Sequence, residues 1–600
     1  MKEKSRSLLE KPFFRSRVKS ANVKIPELLI GYFIGPFGAL LSGGIFTSQL
    51  QIYFTDVLKI SASYLMWLQL FSTLLVVAGN LIMGQLIERT KTMQGKARPW
   101  ILLSALTLSV ASVLMFIMPF QNYTAKVIWT AIAYNLFYSV AYPIYNTANS
   151  TLIPVSTRNG KQRGLLASVT NVAGLGVMGA GSMVFPILVS FALKENQWLW
   201  FVAMLAVAIF CLLACLLQYL FTRERVTEES LSSVKTKDVK SASVKQQLKA
   251  VASDKMWWLI IIFYLIFQWS GAMKNGSMAY FCKWFLDNSF WSGSAGDTWG
   301  ASQALLGVLG AIPMAIAVVF VWPLSNKIGK KNLTVIGMFT GVAGGIIAIV
   351  GGTNIMPVAI GVALKCLGSA PACYMILAMI ADVLDHIEAK NGFRCDGFTM
   401  SIYSSIMVAA TPICNAVFSG LLALGGYDNS LEVGAGLQSE AARTLIQVSY
   451  VWIETVAYAV CGILLLFFVV EKGLKAEQKQ IRERQKAETL ARGEEWIEPE
   501  ERMRLEQEEQ DRISEEARKN ELRAYCEKKG LSYEAEEAKY QEKLAAKRAA
   551  AEAKAAAKQA KAEAKAAAKR TDTETNSAES EASETRSPDE DGNSDNDKGE

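Results

Sequence analysis

Residues 197–222 read QWLWFVAMLAVAIFCLLACLLQYLFT, a long apolar run without a charged side chain. A helix of about 20 apolar residues is long enough to cross a bilayer. Similar runs recur along the first 470 residues, separated by short polar stretches, in a chain that is 51% hydrophobic. The sequence therefore predicts an all-α protein embedded in a lipid bilayer, not a series of water-soluble domains.

Twelve transmembrane helices are predicted, in two halves of six. Residues 223–255, rich in Ser, Lys and Val, separate the sixth span from the seventh, and GQLIERTK from Gly84 has a weaker counterpart in PLSNKIGKK from Pro323. A duplicated arrangement is typical of secondary transporters, whose substrate site lies midway between the halves. The first six-helix bundle, 26–222, is predicted to have spans at about 26–55, 60–87, 100–120, 125–155, 164–193 and 197–222. The second, 256–471, is predicted to have spans at about 256–286, 301–325, 333–352, 355–384, 397–425 and 443–470.

The distribution of Lys and Arg predicts the orientation. Loops after the second, fourth and eighth spans are basic and share a side with the basic residues 1–25, whereas loops 287–300 and 426–441 are acidic. Short basic loops favour the cytoplasmic side. We expect a multi-pass protein of the cell membrane with both termini in the cytoplasm. The basic loop residues are Arg89, Lys91, Lys96, Arg98, Arg158, Lys161, Arg163, Lys327, Lys330 and Lys331.

The C-terminal tail differs in composition from everything before it. Residues 472–570 are rich in Ala, Glu, Lys, Arg and Gln, with EAKAAAK at 552–558 and again at 563–569, which predicts a long charged cytoplasmic helix. Residues 571–600 hold eleven acidic and two basic residues and are predicted to be disordered. The tail is either a solvated spacer or a docking segment for a cytoplasmic protein partner.

Composition argues against several classes of function. The chain has one histidine, His386, and nine cysteines, none of them in a close metal-type pair with it. This leaves little material for a histidine-based metal centre or a Ser-His-Asp triad. We predict no enzyme activity, no resident cofactor and no nucleic-acid partner.

Four short stretches carry a family resemblance. At ERTKTMQGKARPW, residues 88–100, the chain resembles the loop between spans two and three of the glycoside-pentoside-hexuronide:cation symporters, the melibiose permease relatives within the major facilitator superfamily. The resemblance covers about residues 20–470 and implies the twelve-helix major facilitator fold, a central sugar site, and alternating access coupled to sodium, proton or lithium. The other stretches that agree are FTD at 54–56, TLIP at 151–154, and MIADVLD at 379–385 followed by GFRCDG at 392–397.

The chain departs from that family where charged side chains would bind the cation and the sugar. Val76 and Asn80 align with acids of the second span, Leu40 and Asn146 with sugar-contacting acids, and Val408 with a coupling lysine. A hard cation needs several oxygen ligands. The resemblance therefore implies symport of a sugar, glycoside or uronide with Na⁺ or H⁺ through a degenerate cation site. An uncoupled facilitator and a sensor that signals through the tail stay open.

Ionisable and polar residues within the spans are candidates for the substrate site. Lys274 either binds an acidic sugar, pairs with Glu454 or snorkels to the membrane surface. Lys365 is near the middle of the tenth predicted span, and the role expected of it is snorkelling from a span end or structural pairing. Sugars are bound by amides and aromatic rings, although each such residue could instead serve only helix packing. The predicted substrate-binding residues are Gln49, Asn80, Tyr142, Asn146, Asn149, Trp269, Lys274, Asn275 and Tyr374.

A charge network at the cytoplasmic edge is also implied by the resemblance. It would link the two halves when the inner gate is shut, with Arg158 or Arg163 as partners across the halves. Ordinary loop charges are the alternative, and His386 could tune the gate with pH. The predicted gating residues are Arg89, Lys96, Arg98, Arg163, Asp382, Asp385, Arg394 and Asp396.

Overall fold

Helices are the regular secondary structure in the part of the chain that the structure describes, with one isolated β-bridge between Thr92 and Gly95. This computed structural model describes residues 16–226, 244–291, 295–431 and 438–553, apart from 21, 91, 93, 394, 492, 494, 547–548 and 550–551. In these residues eleven helices are long and apolar enough to cross a membrane, and one further apolar helix is shorter. In chain order the twelve are α1 (Glu27–Val57), α2 (Ala62–Arg89), α3 (Arg98–Leu114, the shorter one), α4 (Tyr123–Ser156), α5 (Lys161–Leu193), α6 (Gln197–Leu220), α7 (Lys255–Phe285), α8 (Ala295–Ile328), α9 (Lys330–Val350), α10 (Ile355–Asn391), α11 (Asp396–Leu424) and α12 (Glu440–Leu466).

Short polar caps fix where several of these helices begin. The side chain of Asn196 accepts hydrogen bonds from the first backbone N–H groups of α6, and Asp254 does the same for α7. Such caps satisfy donors that have no partner inside the helix. Large apolar side chains such as Leu74 and Val350, 72% and 82% exposed, point away from the bundle. This is the surface expected of helices that face lipid.

Glycines allow α9 and α10 to cross very closely. A Cβ built on Gly337 would lie 2.4 Å from the carbonyl oxygen of Gly368, and one on Gly344 would lie 2.6 Å from that of Gly361 and 2.7 Å from the backbone nitrogen of Lys365. Small residues at such crossings let helix backbones approach in a membrane protein. The crossing fixes the backbone of α10 at Lys365.

The two ends of the bundle differ in charge. We call the end that carries the loops 89–98, 156–163 and 327–331 the basic face, and the opposite end the outer face.

The first half contains α1–α6 and the second α7–α12. The halves meet along α2 with α11 and α5 with α8, where Gly420 lies against Met66 and Gly300 against the backbone of α5. The short helix Val244–Ala252 precedes the second half.

The tail begins with two helices, α13 (Val470–Ala491) and α14 (Pro499–Lys529). The chain divides into two compact units, Met1–Asp511 and Arg512–Glu600, and the first contains all the apolar helices. In the second unit, Arg518 lies 2.6 Å from Glu537, and its hydrogen bond lowers the pKa of that carboxyl to about 2. The predicted disorder of 571–600 concerns residues outside those described.

Candidate functional site

Three ionisable side chains meet inside the second half. Glu454 of α12 lies 2.6 Å from the Nζ of Lys365 on α10 and 3.3 Å from the Nζ of Lys274 on α7. Tyr458, one turn further along α12, donates a hydrogen bond of 2.9 Å to the same carboxylate. One carboxylate thus connects three helices of this half. We call Lys274, Lys365 and Glu454 the central triad.

The central triad lies deep in the bundle. Lys365 is ten residues from the start of α10, which at 1.5 Å per residue is about 15 Å, half the thickness of a bilayer core. The expectation that Lys365 snorkels from a span end is therefore wrong. Glu454 and Lys365 are buried, whereas the side chain of Lys274 is 19% exposed. Two lysines against one glutamate leave a formal charge of about +1, which is costly in a membrane interior.

Open space adjoins the more exposed lysine. A Cβ built on Gly271 would meet no atom within 4 Å, and Lys274 and Asn275 follow three and four residues later on the same face of α7. The indole N–H of Trp269 is buried and has no hydrogen-bond partner among the described residues. Tyr374 donates to the carbonyl of Met314 on α8, at 3.4 Å. Of these predicted residues, Trp269 thus keeps a donor that no described residue accepts.

Amide side chains link the halves in a buried row. The amide nitrogen of Gln49 on α1 donates to the amide oxygen of Gln303 on α8 at 3.0 Å. Gln51, half a turn on, donates to Ser419 of α11 at 2.5 Å and accepts from Gln69 of α2 at 2.8 Å. The remaining amide atoms of Gln49 and Gln303 are buried without a partner among the described residues. Unpaired amide atoms of this kind can bind hydroxyl groups.

A buried ion pair joins the halves nearer the outer face. The carboxylate of Asp56 on α1 lies 2.5 Å from the Nζ of Lys283 on α7, and both side chains are nearly fully buried. Tyr427, in the loop after α11, donates to Asp56 at 2.8 Å and accepts from Trp284 at 2.9 Å. Thr55 donates to the same carboxylate at 2.7 Å. We call this set the outer lock.

The two charged members of the outer lock lie in wider helical turns. Tyr53–Val57 and Phe281–Phe285 are π-helical, a local geometry that often occurs at functional sites. Sequence reasoning noted Asp56 only as part of a family motif and missed Lys283. The criterion applied to Lys274, an ionisable residue inside an apolar run, would have identified Lys283 as well.

The predicted substrate residues of the first half have different surroundings. Asn149 is buried and accepts a hydrogen bond of 2.8 Å from Gln218 of α6, and Asn80 donates to a carbonyl of its own helix at 2.9 Å. Tyr142 lies against α1, and Asn146 is half-buried on α4. The hydrogen bond between α4 and α6 thus explains the burial of Asn149. Gln49 lies where the two halves meet, and Lys274 lies beside open space.

At the basic face, the predicted gating residues of the first half bind within that half. Arg98 is buried and donates to the carbonyl of Tyr219 at 2.8 Å, with its guanidinium 4.7 Å from the centre of that ring. Glu224 accepts hydrogen bonds of 2.8 Å from the backbone N–H groups of Lys96 and Arg98. These contacts fasten α3 to the end of α6. Two further predicted gating residues, Arg89 and Arg163, are exposed.

In the second half, the predicted gating carboxylates bind neighbours in the same half and in the tail. Asp382 lies 2.5 Å from the Nζ of Lys330 on α9. Asp385 accepts a hydrogen bond of 2.9 Å from Gln478 of α13. Arg394 and the side chain of Asp396 lie outside the described residues. A gating role for these residues stays a prediction.

A metal site of protein ligands is not among the arrangements that the described residues form. No group of three or more His, Cys, Asp or Glu side chains there is placed to hold a metal ion. The central triad, the amide row and the outer lock are among the polar arrangements inside this part of the chain. They consist of hydrogen-bonding and ion-paired side chains, which suit a small polar solute.

Comparison with known proteins identifies the relatives. Residues 31–472 match the family described as MFS/sugar transport protein. The chain is 29% identical to the isoprimeverose transporter of Lactiplantibacillus pentosus over 74% of this chain and 88% of that one. It is 24% identical to the putative glycoside/cation symporter YagG of Escherichia coli, over 72% and 89% of the two chains. These relatives are membrane transporters.

A solved structure supports the same fold. A variant of the nucleoside transporter NupG superposes with a TM-score of 0.52 at 13% identity, covering 74% of this chain and 99% of that one. The family match extends over most of the chain and ends where α13 begins. The chain therefore belongs to the MFS/sugar transport protein family, within the glycoside-pentoside-hexuronide:cation symporter group of the major facilitator superfamily.

Proposed function

We propose that this protein moves a sugar, glycoside or uronide across the cell membrane by alternating access of its two halves. The outer lock is the observation that carries the proposal. Its ion pair between Asp56 and Lys283 joins α1 to α7, so it must break before a solute can enter from the outer face. The amide row and the central triad supply polar groups for a solute beneath the outer lock.

The topology in this proposal has twelve crossings. The helix α3 has 17 residues, about 26 Å at 1.5 Å per residue, and a short loop on either side would complete a bilayer-length span. Counting α3 as a crossing gives an even number, so both ends of the apolar region lie at the basic face. The basic loops favour the cytoplasm for that face.

The formal charge of the central triad favours an acidic substrate among the three classes. Lys365 and Glu454 form the closer and more deeply buried pair, which leaves Lys274 partly exposed beside open space. A substrate carboxylate there would balance the excess positive charge through a charge-assisted hydrogen bond. The relatives named for isoprimeverose and glycosides extend the candidates to neutral sugars, which serve as the comparison.

Cation symport is the coupling that the relatives suggest, because one of them is named a putative glycoside/cation symporter. An uncoupled facilitator is the second candidate. It is favoured by Val76 and Asn80, which provide at most one side-chain oxygen where the family has acids. The two candidates differ in whether a sodium or proton gradient drives accumulation.

The test is uptake of labelled sugars into proteoliposomes that contain the full-length protein. Matched neutral and acidic pairs, such as glucose with glucuronate and galactose with galacturonate, are compared under a sodium gradient, a proton gradient or none. We expect uptake above protein-free liposomes, faster for the acidic member of a pair. Accumulation under one gradient supports symport with that ion, and equilibration that ignores both supports the facilitator. Absence of uptake for every sugar under every condition would overturn the proposal.

A further inference from the structure

The first tail helix lies against the basic face of the second half. Ile481 of α13 is buried, and the carboxylate of Glu477 lies 2.7 Å from the Nδ1 of His386 on α10. One helical turn beyond Ile481, Arg484 lies 3.4 Å from Glu388. Apolar burial, the contact of Glu477 with His386 and the ion pair of Arg484 with Glu388, at helical spacing, indicate a docked helix rather than a solvated spacer.

The start of α13 also stabilises a transmembrane helix. The carboxylate of Glu471 accepts hydrogen bonds from the backbone N–H groups of Lys330 and Lys331, at 2.8 and 3.1 Å. These groups open α9 and have no acceptor within that helix. The negative charge also lies at the positive end of the helix dipole. The first part of the tail is therefore fixed to the second half.

The next tail helix contacts the first half. Asp511 of α14 lies 2.6 Å from the Nζ of Lys161 and accepts a hydrogen bond of 2.9 Å from Asn159. Asn159 lies in the turn between α4 and α5, and Lys161 lies in the first turn of α5. These hydrogen bonds lower the pKa of Asp511, so its carboxylate stays ionised at neutral pH. Both charged side chains are substantially exposed, which makes the pair weak and readily reversible.

We propose that α13 and the start of α14, as far as Asp511, form a strap across the basic face, fixed to the second half by α13 and latched to the first half by Asp511 and Lys161. Alternating access changes the distance between the halves at this face. A strap held at both ends therefore restrains that movement, and release of the latch removes the restraint. The family match ends at residue 472, so the strap lies almost wholly outside the region shared with the transporter relatives.

Hydrogen exchange of the full-length protein in detergent tests the latch directly. The variants are Lys161→Asp, Asp511→Lys and the double charge reversal, with Lys327→Asp as a control for the same charge change elsewhere on the basic face. We expect either single reversal to speed exchange in 157–163 and 499–511 by up to about fivefold, the range for an exposed ion pair. The double reversal should restore protection. Equal exchange in all variants, or no restoration, would overturn the latch.

A transport measurement tests the consequence for movement, and this arm alone rests on the proposed function. With a transported sugar, the single reversals should raise the initial uptake rate, and the double reversal should return it to the original value. If hydrogen exchange changes in the single reversals but the initial uptake rate does not, the strap exists without restraining the movement. That result would overturn its regulatory role. If no sugar is transported by any variant, the proposed function fails, while the exchange result still decides whether the strap exists.

Discussion

Asp56 and Lys283 belong to opposite halves of the protein and form an ion pair of 2.5 Å in which both side chains are nearly fully buried. Tyr427 adds a hydrogen bond from a third segment. In the proposed transport cycle, a buried pair that joins the two halves has two roles. It stabilises the state in which the outer end is closed, and its separation costs free energy when that end opens.

The first prediction concerns the loss of one partner of this pair. Asp56→Asn should destabilise the closed outer end by about 3–5 kcal/mol, because Lys283 is left buried without a counter-charge. Cys282, adjacent to that lysine and buried, should then become reactive. Alkylation of Cys282, followed by peptide mass spectrometry, measures the opening.

Glu195→Gln is the matched control for that substitution. It removes the partner of an exposed pair with Lys59 near the same end and should change Cys282 reactivity little, since exposed pairs contribute at most about 1 kcal/mol. Equal Cys282 reactivity in Asp56→Asn and the unaltered protein would contradict the role given to the outer lock.

A second prediction orders the substitutions of the central triad by stability. Glu454→Gln leaves the buried Lys365 and the partly exposed Lys274 without a counter-charge and should be the most destabilising, by about 3–5 kcal/mol. Lys274→Met keeps the pair of Lys365 and Glu454 and should cost least of the charged changes. Tyr458→Phe, which removes one hydrogen bond to the Glu454 carboxylate, should cost about 1.5–3 kcal/mol. Thermal unfolding in detergent measures the order, and a Lys274 variant less stable than the Glu454 variant would refute it.

A third prediction concerns selectivity. If the carboxylate of an acidic sugar binds Lys274, Lys274→Gln should lower the ratio of acidic to neutral sugar uptake by about tenfold or more. The reason is that a hydrogen bond to a charged group contributes about 1.5–3 kcal/mol. Competition uptake with glucose and glucuronate measures the ratio. Asn149→Ala is a control, since Asn149 bonds to Gln218 of α6. A ratio unchanged by Lys274→Gln would argue against binding there.

A fourth prediction concerns the junction between the tail and α9. Glu471→Gln should destabilise the protein by about 1 kcal/mol, the usual contribution of a helix cap, and should speed exchange in 470–491. Glu483→Gln, an exposed change on the same helix, serves as the control. Protection of 470–491 that is the same in both variants would show that Glu471 does not anchor α13.

A fifth prediction is the pH dependence of the latch. Hydrogen bonds from Lys161 and Asn159 lower the pKa of Asp511 in the folded protein. The stabilisation is therefore present above the ordinary carboxyl pKa of about 3.9 and is lost as the pH falls through the lowered value. Exchange protection of 157–163 should stay constant between pH 7.5 and 5.5, after correction for intrinsic rates. A loss of protection over that interval would require another titrating group.

The bundle could be predicted from sequence because hydrocarbon-length runs need few assumptions. The run 197–222 contains α6 (Gln197–Leu220), and the family motifs led to the group that the comparisons show. The short α3 was harder, because only part of the predicted span 100–120 is helical. Its helix starts at Arg98, which sequence reasoning assigned to a loop but which is buried against Tyr219.

The site was only partly predictable, because pairing depends on which helices meet. Lys274 and Glu454 were recognised as ionisable residues in apolar runs, and their pairing was one of two alternatives. Lys365 belongs to the central triad because α9 and α10 cross closely at their glycines, and no local sequence pattern predicts that crossing. The partner of Asn149 lies on a helix distant in sequence, so a polar face of α4 could equally predict a cavity or a helix contact.

The most direct test of the central claim is entrance counterflow in proteoliposomes loaded with unlabelled glucuronate. The method needs no ion gradient, so with Na⁺ and pH equal on both sides it serves for a symporter and for a facilitator alike. We predict transient accumulation of labelled glucuronate above its outside concentration, weaker with glucose in both positions and reduced in Lys274→Gln. Absence of counterflow with every sugar would contradict the account, when thermal unfolding shows that the protein used is folded.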